Sequence, residues 1–136
     1  MIIELKDYER IYKTVNAILV NESADTTVAC MCFSIYGANI LSQHYKIDAQ
    51  PTAGLAAYHL GDDNNIVAFG EIKDGRLVGT STAFHCWVQA DGWLIDFMSP
   101  VFPSLLSRTG HSFSGSPKMM QKPLSSPSSE KSTRWR

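Results

Sequence analysis

The dipeptide Asp91-Gly92, set between Phe84–Ala90 and Trp93–Phe97, constrains this chain more than any other feature. A two-residue Asp-Gly loop favours a type I′ turn, whose twist matches that of the strands it joins. The turn sets the register: Ala90 opposite Trp93, Gln89 opposite Leu94, Val88 opposite Ile95, Trp87 opposite Asp96, Cys86 opposite Phe97 and His85 opposite Met98. Side chains alternate along a strand, so His85, Trp87 and Asp96 are expected on one face, with Cys86 and Trp93 on the other as core. His85 and Asp96 become diagonal neighbours about 7–8 Å apart at Cα, a gap two such side chains can span. The hairpin therefore predicts an imidazole beside a carboxylate, with Trp87 screening the pair from water.

Upstream, the hydrophobic period changes. Tyr8, Ile11, Tyr12, Val15, Ile18 and Leu19 recur at i, i+3, i+4, i+7, which predicts an amphipathic helix over 7–21. A polar loop, 21–27, leads into a second helix from Cys30 to about Tyr45. Its apolar positions run nearly all round, so burial on most sides is expected. Gly37 and Ala38 in its middle point to close approach by another element, because Gly otherwise costs about 1 kcal/mol there. After Pro51 short strands follow: Thr52–Leu60, Ile66–Ile72, Ala83–Gln89 and Trp93–Phe97, with turns at Asp62–Asn65 and Lys73–Arg76. Helices first and an antiparallel sheet after give an α+β domain, N-terminal helices packed on the sheet.

The formal net charge of −1 hides a division. Residues 1–103 carry six basic against twelve acidic groups, whereas 104–136 carry six basic groups against Glu130 alone. Ten serines in those last 33 residues, with three prolines and no periodicity, read as a disordered basic tail. The expected organisation is a folded domain over 1–103 and a Ser-rich tail over 104–136. An acidic body speaks against nucleic acid as its partner. No apolar run approaches the roughly 18–20 residues of a membrane helix, and the N-terminus lacks a secretory pattern. Three cysteines are too few and too odd for a disulfide framework, so a reduced, cytoplasmic protein is expected.

A carboxylate beside a histidine is the orienting half of a nucleophile–base–orienter triad. The nucleophile is sought among the cysteines. Cys30 stands where the polar loop becomes the second helix, with Thr26 and Thr27 as candidate caps, and a helix N-terminus favours a thiolate. Cys32 is the competitor: two residues on, it points about 200° away, so only one of the two faces His85. Cys30, nearer the helix start, is preferred. Zinc binding by Cys30, Cys32, His85 and Cys86 is disfavoured because His85 and Cys86 alternate in direction, so no metal and no cofactor are expected. His44, His59 and His111 have no evident partner.

Ala29-Cys30 opening a helix, Tyr45-Lys-Ile-Asp-Ala-Gln50 followed by Ala53-Gly54, His85-x-Trp87, and Gly92-Trp-Leu-Ile-Asp96 together resemble the transglutaminase-like and arylamine-acetyltransferase-like branches of the papain-like superfamily. More narrowly, Tyr8 to Pro103 is similar to DUF2026, a bacterial family of unknown function. The resemblance implies a cysteine-peptidase-like core and a catalytic triad of Cys30, His85 and Asp96, with Trp87 against the substrate. The expected activity is acyl transfer or amide hydrolysis through a thioester, on a peptide or small acyl or amide substrate. The alternative is a catalytically silent binding or structural domain of the same fold. Two departures bear on this. Asp96 follows His85 by only eleven residues, and no glutamine shortly precedes Cys30, leaving backbone N–H groups as the oxyanion donors. Lys118–Leu124 echoes a later family segment, and Ser125–Arg136 does not read as a folded continuation, so a truncated or frame-shifted C-terminus is expected.

Overall fold

The computed structural model describes residues 2–22, 29–60, 65–81, 83–108, 120–124 and 134–135. In chain order the elements are α1 (Leu5–Asn21), α2 (Cys30–His44), β1 (Ala49–Gly54), β2 (Ala56–Leu60), β3 (Asn65–Phe69), β4 (Glu71–Lys73), β5 (Arg76–Val78), β6 (His85–Ala90), β7 (Trp93–Asp96), a 3-10 turn (Ser99–Val101), α3 (Phe102–Arg108), β8 (Met120–Pro123) and β9 (Arg134–Trp135). The mixed α+β class is as the sequence predicts. The chain divides into two compact units: Met1–Thr52 with Cys86–Leu124, and Ala53–His85 with Ser125–Arg136. No helix among the described residues is long and apolar enough to cross a membrane.

The first unit is built from α1, α2 and a four-stranded antiparallel sheet ordered β1-β6-β7-β8. Helix α1 buries Tyr8, Ile11, Val15 and Leu19, the stripe its periodicity prescribes. Helix α2 buries Cys30, Phe33, Ser34, Gly37, Ala38 and Leu41, and it ends where Lys46 takes a positive φ and Tyr45 and Ile47 both donate to the Leu41 carbonyl. Burial on most sides is not what α2 shows: Met31, Ile35 and Tyr36 are 51%, 49% and 41% exposed. One apolar stripe faces the sheet, and a second apolar face is turned outward.

Asp91 and Gly92 take φ of +47° and +77°, the left-handed pair a type I′ turn demands. The register follows as expected for Ala90–Trp93, Gln89–Leu94 and Val88–Ile95. Strand β7 stops at Asp96, because Ser99-Pro100-Val101 turns the chain into α3. Trp93, expected in the core, is only half-buried at the hairpin end.

Three stretches of the expected tail carry regular structure: the end of α3, β8 and β9. Phe102–Arg108 is helical, and Met120–Pro123 adds β8 to the sheet, pairing Ile95 with Gln121 and Asp96 with Met120. Few apolar residues are needed there, because an edge strand gains its place through backbone hydrogen bonds. Gln121 reinforces it: its Oε1 accepts from Ile2 and Ile3 N–H, each at 3.1 Å, and its Nε2 donates to the Ile3 carbonyl at 2.9 Å. The boundary expected at Pro103 thus falls inside the folded unit.

In the second unit β2 pairs antiparallel with β3, Tyr58 opposite Val67, and parallel with β9. Strands β4 and β5 form a separate hairpin over Asp74 and Gly75, φ +51° and +74°. The single strands expected over Thr52–Leu60 and Ile66–Ile72 are each broken, at Leu55 and at Gly70. The turn expected at Asp62–Asn65 and the caps Thr26 and Thr27 lie outside the described residues, except that Asn65 opens β3.

Candidate thiol site

Cys30 is the first residue of α2, where the backbone N–H groups of the opening turn have no carbonyl a turn earlier to bond. Residues 30, 34 and 37 stand one above another, at i, i+4 and i+7, on the buried stripe of α2. Gly37 lets that stripe come in close: a Cβ there would lie 2.4 Å from Cδ2 and 2.7 Å from Cε2 of Phe97. The Phe97 ring is held from another side by Tyr8, centroids 5.1 Å apart. The Tyr8 hydroxyl donates to the Asp96 carbonyl and shares a 2.9 Å hydrogen bond with Ser99 Oγ.

Across from this stripe stands Cys86. Its thiol is in hydrogen-bond contact with the Cys30 thiol and the Ser34 hydroxyl. Burial is the main reason that the Cys86 thiol is pushed up from 9.0 to about 12, and a negative charge on Cys30 pushes the same way. The Cys86 S–H directed at Cys30 and the field of the Asp96 carboxylate add to the effect. The Ser34 hydroxyl opposes it, as a donor to a thiolate would. Cys86 thus keeps its proton well past the ordinary thiol range. None of the three cysteines is in a disulfide; Cys30 and Cys86 are buried and Cys32 is half-buried.

Cys30 and Asp96 both belong to the first unit. Asp96 is fully buried, and its Oδ1 accepts the Met98 N–H at 2.9 Å. His85 belongs to the second unit, where its ring stacks on Phe69 at 4.2 Å and meets Tyr58 edge-on at 5.7 Å. His85 is likewise fully buried, and Trp87 is half-buried. Among the described residues no three of His, Cys, Asp and Glu gather as a metal site would require.

Alternation along β6 marks Cys86 as core, and core it is. What that reading missed is the partner: the Cys86 thiol meets Cys30 at the start of α2. The signal was present in Gly37: a glycine placed for close approach seven residues after Cys30 identifies the helix stripe that meets the sheet. The aromatic pair around His85 had no such signal, since it depends on the pairing of β2 with β3. A groove of about 430 Å³ lies between α1 and the far end of α2, lined by Asp7, Arg10, Ile40, His44 and Tyr45. Fourteen residues of helix, about 21 Å, separate Cys30 from His44, so the groove does not serve the thiol.

A crystal structure of a genomics target matches with a TM-score of 0.77 and 44% sequence identity, covering 91% of this chain and 57% of that one. This chain therefore spans little more than half the length of the solved structure it resembles. No curated protein matches. Residues 4–133 match the family described as protein of unknown function DUF2026, and the chain belongs to that family.

Proposed function

We propose that this chain is a thiol-dependent acyl-transfer or amide-hydrolysing domain with Cys30 as nucleophile, His85 as its base and Asp96 as the carboxylate that orients the imidazole. One observation carries the reading: Cys30 opens α2 with the Cys86 thiol held protonated against it. A charge on Cys30 gains one S–H donor and the positive end of the helix dipole. The cysteine-peptidase-like relation of the fold belongs to the same proposal, as does a reducing cytoplasmic setting, which three cysteines outside any disulfide suit.

In the reaction, the Cys30 thiolate attacks a carbonyl carbon, forming a C–S bond while the oxyanion accepts from backbone N–H groups at the start of α2. The imidazolium returns its proton to the leaving amine. Water or a second amine then takes the acyl group from the thioester. Trp87 is proposed to flank the substrate.

Site-resolved iodoacetamide labelling against pH tests this. Cys30 is expected to label below the roughly 8.5 of an ordinary thiol, and His85→Ala is expected to shift that profile. Labelling of all three cysteines only above that pH, unchanged in His85→Ala, contradicts the proposal. A second reading, a catalytically silent domain, is favoured by the complete burial of His85 and Asp96, and that outcome would establish it.

A further inference from the structure

The Cys86 thiol has no part in the reaction proposed above, yet it is the group closest in kind to the nucleophile. Three features hold it there. Cys30, Ser34 and Gly37 lie on one stripe of α2, the missing Cβ of Gly37 lets that stripe close on Phe97, and Cys86 is in thiol contact with Cys30 from β6. Both thiols are in the first unit, so the contact does not depend on the second.

We propose that Cys30 and Cys86 are a redox pair, in which a peroxide oxidises Cys30 and Cys86 resolves the product as an intramolecular disulfide that shuts the nucleophile off reversibly. The inference rests on the reading of Cys30 as the reactive thiol. In the first step the Cys30 thiolate attacks a peroxide oxygen. An S–O bond forms, the O–O bond breaks, and the departing hydroxide takes a proton to leave as water. In the second step the Cys86 sulfur attacks the sulfenic sulfur of Cys30. An S–S bond forms, the S–O bond breaks, and the hydroxyl leaves as water with the Cys86 proton. Two thiols and hydrogen peroxide become one disulfide and two waters; sulfur is oxidised and peroxide oxygen reduced. Oxidation of Cys30 to the uncharged sulfenic acid removes a charge that holds the Cys86 proton, and that proton passes to the departing hydroxyl as the Cys86 sulfur attacks. Cys32, about 200° round α2 from Cys30, is the internal control.

The reduced chain is treated with a few equivalents of hydrogen peroxide, alkylated with iodoacetamide and mapped by peptide mass spectrometry. The expected product has lost two hydrogens, carries a linked Cys30–Cys86 peptide, keeps Cys32 alkylated, and regains Cys30 labelling after dithiothreitol. In Cys86→Ser the Cys30 peptide instead gains two oxygens as sulfinic acid, which dithiothreitol does not reverse. Sulfinic acid on Cys30 in the unmutated chain with no linked peptide overturns the redox pair while leaving Cys30 the reactive thiol. A link through Cys32 overturns it equally. If Cys30 neither oxidises nor labels below the ordinary thiol range, both proposals fall together.

Discussion

Replacing Gly37 by alanine adds one methyl group to the place where α2 meets the sheet. The new Cβ would stand 2.4 Å and 2.7 Å from two carbons of the Phe97 ring. Carbon atoms in contact rest about 3.5–4.0 Å apart, so ring or helix must yield by more than about 1 Å. The ring has little room: it is 1% exposed and stacked on Tyr8, whose hydroxyl is tied to Asp96 and Ser99. Overpacking of this kind costs about 1–3 kcal/mol. Alanine returns about 1 kcal/mol of helix propensity. The net expectation is a loss of up to about 2 kcal/mol, read as a fall of up to about 10 °C in thermal unfolding followed by circular dichroism. Combining Gly37→Ala with Phe97→Leu should cost less than the two changes summed, by a coupling of at least about 0.5 kcal/mol. Pushing α2 outward should also open the thiol contact and raise alkylation of Cys86. A Gly37→Ala chain more stable than the parent, or one with no coupling to Phe97→Leu, would refute the close approach of α2 to Phe97.

Other consequences are as direct. Gln121→Ala removes three hydrogen bonds to Ile2 and Ile3 and is expected to cost about 1–3 kcal/mol, with amide exchange at Ile2 and Ile3 rising toward unprotected rates. Tyr8→Phe leaves the buried Asp96 carbonyl without its phenol donor and should cost about 1–2 kcal/mol by thermal unfolding, with the fold unchanged by circular dichroism. Stability should fall at alkaline pH: the unfolded chain loses the Cys86 proton near 9.0, while the folded chain holds it to about 12, so the folded state binds more protons between these values. Burial raises Tyr8 also and adds a second loss beginning near 10. Unfolding midpoints measured from pH 8 upward should decline, and Cys86→Ser should remove the earlier part of the decline.

Local chemistry made much of the first unit legible in the sequence. Helix α1 begins two residues before its expected start and ends as expected, and α2 spans Cys30–His44, because apolar spacing at 3.6 residues is a property of the segment alone. Asp91-Gly92 dictated turn type and register for the same reason, as did Asp74-Gly75 in the smaller hairpin. The failures depend on distant partners. The outward face of α2 at Met31, Ile35 and Tyr36 has the same residue types as a buried one, and only packing distinguishes them. Strand β8 lies in a serine- and proline-rich stretch, and Gln121 earns its place through contacts with Ile2 and Ile3 more than a hundred residues away. At the candidate site, Cys30 at a helix start and Asp96 beside the hairpin were readable from position. The meeting of Cys30 with Cys86 depends on how α2 packs in the folded unit, which no local pattern specifies.

That meeting is the centre of the account, and cysteine Cβ carbon shifts followed by NMR through a pH titration examine it most directly. The account predicts that Cys30 titrates first, that the Cys86 resonance responds to the Cys30 step, and that Cys86 keeps its own proton past pH 9. Cys86 titrating before Cys30, or the two titrating independently as ordinary thiols, would contradict it.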